Sequence, residues 1–418
     1  MTFDSQGYGC HVMESEVKPA YLIKPLRVAV IVPIPYRGGS LRAAKLLVEA
    51  FYLGSKADKD NVEIIFLHPD LEYLEAEGEL DDLPRSTVKR SFKWMTISPA
   101  EARRAMCYSG NATWEPDNCD YFVPNDGIQN LCDCDVWVIV SDRLEHPILP
   151  IRPVVAVIYD YLQRYRKIIN EDINMSFLSV ARRADKVIVT TKFTYDDALQ
   201  YAGLDKSKLS LLPMLAPDFS SSVELIDIHD KYFVWTTNKA IHKNHLNAVR
   251  ALKHYYEVLG GNLKCIVTGV DSHAVFESDP SNFNADILRV LSSSLLLSQN
   301  LVLKGELSTS AYKKLLANAE FLWHPASIDN GTFSVIEAAY LKTPGLSSNY
   351  PAMREINEQF NLSLKWMDSS DPYDMADKLL FMQENAAKIT LPSGDELMRN
   401  NVANYSECYW LAIKELLK

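Results

Sequence analysis

The stretch LRVAVIVPIPYRGGSLRAAKLLVEAF, residues 26–51, decides how the first half of the chain is read. An unbroken apolar run from Val28 to Ile34 is followed by the pair Gly38 and Gly39, and then by apolar residues at helical spacing. A strand apolar on both faces is covered on both faces, which is the condition of strands in a parallel sheet. The stretch therefore predicts a buried strand, a tight loop and a helix. The same signature returns in VEIIFLHP from Val62, DVWVIVS from Asp135, PVVAVIYD from Pro153 and KVIVTT from Lys186, with helical segments such as FLSVARRA between them. This alternation predicts an α/β fold built on a doubly wound parallel sheet.

The pattern breaks in LLPMLAPDFSSSVELIDIHDK, from Leu211, where two prolines and three serines interrupt any periodicity. It restarts with YFVWTT at Tyr232 and continues through the helix HLNAVRALKHYYEVL, stopped by Gly260 and Gly261, to KCIVTG, NLVLKG, EFLWHP and SVIEAAYLK. Two domains of this kind suit 418 residues. The boundary is placed near Ser220, giving a first domain over 1–220 and a second over 221–418, each Rossmann-like, with a cleft between them.

Composition limits the function. Hydrophobic content of 47% and charged content of 23% suit a globular chain. The net charge of -11 should repel a polyanion, so no nucleic-acid partner is expected. Seven cysteines without paired CxxC spacing suit a reducing compartment. The first residues show neither the basic start nor the apolar run of a signal peptide, and no stretch reaches the ~20 apolar residues of a membrane helix, so a cytoplasmic location is expected.

In EFLWHPASIDNGTFSVIEAAYLK a strand end, a small-residue loop and a helix start follow one another. Ligands of open α/β sheets sit beyond the carboxyl ends of strands, where free helix-start amides attract anions. The amides of Gly331, Thr332, Phe333 and Ser334 are thus expected to face a phosphate, with Asp329 before the helix and Glu337 a turn inside it, in reach of a sugar hydroxyl. The same letters also read as a capping box, in which Ser334 caps the helix and Glu337 reaches back.

A second anion position is FVWTTNKAIHKNHLNAV, where Lys243 stands beside a helix start. His242 and His245 alone make no zinc site, which needs three or four ligands, and no metal is expected. Gly38 and Gly39 let the backbone approach a ligand closely, with Arg37 and Arg42 beside them. Tyr159 and Asp160 stand at a strand end, where Asp160 serves either a ligand or the cap of the next helix. The DCD triplet at Asp133 to Asp135 precedes its strand, at the wrong sheet edge for a metal-dependent transfer site. Between Arg85 and Arg104 six basic residues surround Phe92, Trp94 and Met95, a composition suited to a peripheral contact with a lipid-linked acceptor or anionic membrane, or to a solvated face.

The Asp329 turn resembles the acidic signature of retaining glycosyltransferase family 4, a GT-B fold group, whose pattern is Glu, seven residues, Glu; Asp329 stands in the first place. ARRADKVIVTTKFTYDDAL, LSLLPM and the closing NYSECYWLAIKELL also resemble that family. The resemblance implies that Glu337 binds the ribose, that Asp329 contacts the donor sugar, and that Lys243 holds the diphosphate. It implies further that Gly38 and Gly39 lie under the phosphates, that the last helix packs back on the first domain, and that the reaction retains configuration without a divalent ion. Asp160 and its neighbour Tyr159 resemble the His-Asp pair that many relatives present toward the reacting sugar, with tyrosine in place of histidine, which implies a catalytic place for Asp160 beside Lys243 and Asp329. The family's arginine five residues before the lysine is Asn238 here, and His242 or Lys239 is expected to replace its charge in part.

The wording of these motifs looks most like bacterial polysaccharide mannosyltransferases. That implies GDP-mannose as co-substrate, no cofactor, and a saccharide or lipid-linked glycan acceptor. A nucleotide-sugar epimerase of the same architecture and a non-catalytic nucleotide-sugar-binding scaffold are the alternatives.

Overall fold

The computed structural model describes residues 24–166, 169–219, 231–278, 284–329 and 332–417. The boundary expected near Ser220 and the site residue Gly331 lie outside them.

The strands run β1 (Leu26–Ile31), β2 (Val62–His68), β3 (Val88–Ser91), β4 (Lys93–Ile97), β5 (Tyr121–Asn125), β6 (Val136–Val140), β7 (Val154–Ile158), β8 (Lys186–Val189) and β9 (Leu209–Leu211) in the first half. The second half contributes β10 (Tyr232–Thr236), β11 (Lys264–Thr268), β12 (Leu301–Gly305), β13 (Leu322–His324), β14 (Gly345–Ser348) and β15 (Lys365–Met367). Seven strands form one parallel sheet in the order β3-β2-β1-β6-β7-β8-β9. Six form another in the order β12-β11-β10-β13-β14-β15, also parallel. Both are doubly wound, and the two halves are Rossmann-like domains as their unbroken apolar strands require. Among the described residues, β4 and β5 stand apart from both sheets as an antiparallel pair.

Each sheet is buried on both faces. Ala29, Ile31, Trp137 and Ile139 pack on the outer side of the first sheet, and Phe233, Trp235, Val267 and Trp323 on the outer side of the second. The opposite faces share one continuous apolar cluster, which runs from Val28 and Val30 through Val234 and Leu322 to Tyr409 and Trp410.

The helix Gly38–Ala57 buries Leu41, Ala44, Leu47, Val48 and Phe51 at spacings of three and four, which sets one stripe of its surface on the sheet. Its far end meets the helix Val402–Lys414 from the end of the chain. Trp410 Nε1 donates to Asp60 Oδ2 at 2.8 Å, Lys414 Nζ pairs with Asp58 at 2.6 Å and Asp60 at 2.7 Å, and Tyr409 OH donates to the Pro213 carbonyl at 2.9 Å. The chain's last long helix is thereby fastened to the first sheet's domain.

Among the described residues no helix is long and apolar enough to cross a membrane.

Candidate active site

A doubly wound sheet opens a crevice where the strand order reverses, because the loops there leave in opposite directions. In the first sheet the reversal lies between β1 and β6, in the second between β10 and β13. The loops that follow these four strands converge on one cleft of about 1110 Å³. Every described site residue expected from the sequence lines it: Gly38, Gly39, Asp160, Asn238, Lys243, Asp329, Thr332, Phe333, Ser334 and Glu337.

On the second domain, the loops after β10 and β13 are laced together. Ser327 donates to the His242 carbonyl from its amide at 2.9 Å and from its hydroxyl at 3.0 Å. Asn244, in the left-handed region with φ of +64°, donates from Nδ2 to the Pro325 carbonyl at 3.1 Å and the Ser369 carbonyl at 2.8 Å. These bonds fix Lys243 opposite Asp329, and the two side chains form an ion pair. Asp329 is only 8% exposed. Burial alone raises a carboxyl, but here Lys243, followed by His242 and His324, outweighs it and holds Asp329 down to about 2. His324 and His242 are lowered as well, both to about 4, but chiefly through burial, which disfavours the charged imidazolium. Both imidazoles are therefore neutral near pH 7, and His324 Nε2 lies 3.1 Å from the Tyr350 hydroxyl.

Glu337 is 2% exposed and is ion-paired with Arg42, which comes from the first domain. Burial raises its carboxyl, while Arg42 and a hydrogen bond with Tyr312 oppose the shift. Tyr312 OH is in turn 3.2 Å from Thr236 Oγ1. The capping-box reading is overturned here. The helix spans Ser334–Tyr340 with Phe333 in the capping place and no side-chain cap, Ser334 Oγ lies 3.1 Å from Thr332 Oγ1, and Glu337 points into the cleft. The Glu337 carboxylate makes its charge-assisted contact with the Arg42 guanidinium instead of with a backbone amide.

On the first domain, Gly38 opens the helix with φ of +54°, and a Cβ there would lie 3.1 Å from Val270 Cγ2 of the second domain. Gly38 thus brings the loop after β1 close to the loop after β11, and a Cβ on Gly39 would lie 4.0 Å from Phe333. Asp160 accepts from Leu162 N at 3.2 Å and from Arg143 Nη2 at 2.9 Å, so it holds the first residue of the short turn Leu162–Arg164, whose capping position is Tyr161, and lines the cleft. Burial raises its carboxyl above the usual range, against the pull of Arg143.

Three residues of this wall, Tyr36, Asp142 and Arg143, escaped the sequence reading. Asp142 is 3% exposed, its Oδ2 has no hydrogen-bond partner among the described residues, and burial pushes its carboxyl up to about 7. A polar run SDR directly after the apolar DVWVIV was the available signal, but its weight depends on β6 lying beside β1, which is a matter of strand order.

Other expected roles change. Lys239 pairs with Asp271 at 3.1 Å, and neutral His242 brings no charge, so neither stands in as a free cation for the arginine missing at position 238. Asn238 Oδ1 accepts from Ala240 N at 3.0 Å, a turn-forming bond. His245 Nε2 lies 3.0 Å from Thr237 Oγ1. The Arg37 guanidinium lies over the Tyr73 ring at 4.2 Å. Asp133 pairs with Arg90 at 2.7 Å and Arg27 at 3.0 Å, at the far edge of the sheet from the cleft.

Within 85–104, Phe92 is buried and Trp94 donates to the Pro33 carbonyl at 2.7 Å, which leaves Met95 as the exposed apolar residue of the three; Arg85, Lys93 and Arg104 are exposed.

Residues 220–392 match the family described as Glycosyl transferases group 1. No curated protein is significantly similar to the chain in sequence. Among solved structures, a glycosyltransferase from Rickettsia africae ESF-5 is similar with a TM-score of 0.63 at 13% identity, over 94% of this chain and 99% of that one. Anabaena HepE in complex with UDP-glucose follows with 0.61 at 12% identity, over 93% and 95%. A mutant of S. aureus TarM in complex with fondaparinux, alpha-GlcNAc-glycerol and UDP gives 0.57 at 13% identity, over 95% and 100%. Together, a group 1 glycosyltransferase domain in the second half and a GT-B fold over nearly the whole chain support a glycosyltransferase.

Proposed function

We propose that the protein is a retaining glycosyltransferase of family 4 that moves a hexose, mannose in the first instance, from a nucleotide sugar to a saccharide or lipid-linked glycan. The donor occupies the second domain, with its ribose on Glu337 and its diphosphate on Lys243 and the amides around Thr332 and Phe333. The acceptor enters over the first domain, and the division between the two falls near Ser220.

The supporting observation is that Lys243, Asp329 and Glu337, spread over 95 positions of sequence, share one cleft at the reversal point of the second sheet. A donor leaves as a diphosphate on which negative charge grows while the bond to the sugar breaks. A fixed ammonium beside that charge stabilises the transition state more than the ground state. In this reading Lys243 exchanges Asp329 for phosphate, and Asp329, ionised throughout the neutral range, is released to accept a hydroxyl of the donor sugar. Each such charge-assisted contact contributes about 1.5–3 kcal/mol.

The testing experiment is a panel of UDP-, GDP- and ADP-sugars, with and without glycan acceptors, in the presence and absence of EDTA, with products identified by mass. Acceptor-dependent appearance of a glycoside with release of nucleoside diphosphate is expected. Conversion of the nucleotide sugar without acceptor supports an epimerase instead, and binding without turnover supports a scaffold.

A further inference from the structure

Ser141, the residue after β6, has φ of +119°, a conformation that L side chains rarely adopt. Such backbone strain persists only where surrounding contacts enforce it, and it concentrates at functional sites. Here the contacts are visible: Ser141 Oγ accepts from Tyr36 OH at 3.2 Å and from Arg143 N at 3.2 Å. The turn carries Asp142 into burial with Oδ2 unpartnered among the described residues, and sets Arg143 against Asp160 on the wall of the cleft. The pair is partly open, with side-chain exposures of 26% for Arg143 and 18% for Asp160.

Both hydrogen bonds to Asp160 fall on Oδ1, and the one from the Arg143 side chain leaves through Nη2. Among the described residues, Oδ2 of this carboxylate and Nη1 of the guanidinium paired with it make no further protein hydrogen bond. An open acceptor beside an open donor matches two neighbouring hydroxyls of a sugar ring, one donating to the carboxylate and one accepting from the guanidinium. A phosphate fits poorly, because the single guanidinium is already paired with the Asp160 carboxylate, which opposes a second anion.

We propose that Arg143 and Asp160, positioned by the strained Ser141 turn and the buried Asp142, form the subsite for an uncharged sugar ring of the acceptor and discriminate against an acceptor that presents a phosphate. This rests on the glycosyltransferase reading and narrows it to glycan hydroxyls.

The wild type, Arg143→Ala, Arg143→Lys and Asp160→Asn are compared. Donor binding of UDP-glucose, UDP-GlcNAc, GDP-mannose and ADP-glucose is first measured by calorimetry, and transfer is then measured to octyl glucoside, octyl mannoside and undecaprenyl phosphate. Transfer to an octyl glycoside and not to undecaprenyl phosphate is expected. Arg143→Ala should raise the acceptor KM by about 10- to 100-fold, the span of one lost charge-assisted hydrogen bond, with donor KM moving less than about twofold. Arg143→Lys, which keeps the charge and loses the planar fork, should recover only part of the loss. Asp160→Asn carries the same KM test should the arginine variants fail to fold.

Transfer to undecaprenyl phosphate, transfer to neither octyl glycoside, or an acceptor KM unmoved in these variants overturns the subsite. Absence of binding to all four nucleotide sugars counts against the donor reading itself, and calorimetry reveals it before any acceptor is added.

Discussion

The Arg42 guanidinium on the first domain's opening helix is ion-paired with the buried Glu337 carboxylate of the second domain, 295 positions later in the chain. A ligand whose hydroxyls seek Glu337 must share or displace Arg42, which places the pair at the junction of binding and domain closure. Glu337→Gln keeps the shape and removes the charge. It should weaken binding of the preferred nucleoside diphosphate by roughly tenfold, about 1.4 kcal/mol, in calorimetric titration. Unchanged affinity takes Glu337 out of the donor site.

Lys243 and Asp329 form a second ion pair in the cleft, and Asp329 is nearly buried. The sequence alone suggests that Lys243→Ala weakens donor binding and spares the fold. The structure adds a cost of about 3–5 kcal/mol, because an unpaired carboxylate remains in a buried place. Thermal denaturation should show Lys243→Ala well below wild type and the double variant Lys243→Ala with Asp329→Asn largely restored, while nucleotide binding stays weak in both. Restored binding in the double variant argues that the lysine serves Asp329 alone.

Asp142 yields a pH signature. Its folded-state carboxyl titrates at about 7, against roughly 3.9 for an unperturbed aspartate, so the folded protein holds this proton more tightly than the unfolded chain does. Stability from this group is therefore present at low pH and lost as pH rises from about 4 to about 7. Three pKa units correspond to about 4 kcal/mol at most. Asp142→Asn should raise the denaturation midpoint clearly at pH 8 and little at pH 5, and an equal gain at both values dissociates the effect from ionisation.

The helix junction offers a test of packing. A Cβ built on Gly54 lies 2.3 Å from the Ser406 carbonyl oxygen and 2.6 Å from Trp410 Cβ, so only glycine lets the two helices approach this closely. Gly54→Val should destabilise the protein by about 1–3 kcal/mol or more, the usual cost of overpacking, and Trp410→Ala by about 3–5 kcal/mol, both read in chemical denaturation. A Gly54→Val protein of wild-type stability contradicts the observed contact.

Much of the fold was readable because burial leaves a local mark. The unbroken runs at Val28, Val136, Val154 and Val234 all became central parallel strands, since a strand covered on both faces has no place for polar alternation. The stretch at Arg85 to Arg104 was read for its charge, yet it contains edge strand β3 and the antiparallel strand β4, which are half-exposed and short and so leave almost no apolar signature. That Asp329, Glu337 and Lys243 line one cleft was legible because each lies in a loop or first helical turn that follows a strand, at the carboxyl edge of the sheet.

By itself, then, the sequence determined two wound α/β halves and the loops that carry their chemistry, because periodicity and loop position are properties of neighbouring residues. Tertiary structure alone decided that Glu337 meets Arg42 instead of capping its helix, that Arg143 stands beside Asp160, and that Gly54 sits under Trp410. Those pairings depend on which strands lie side by side and how two sheets face each other, and such contacts between distant segments are fixed by packing of the whole chain, not by any local pattern.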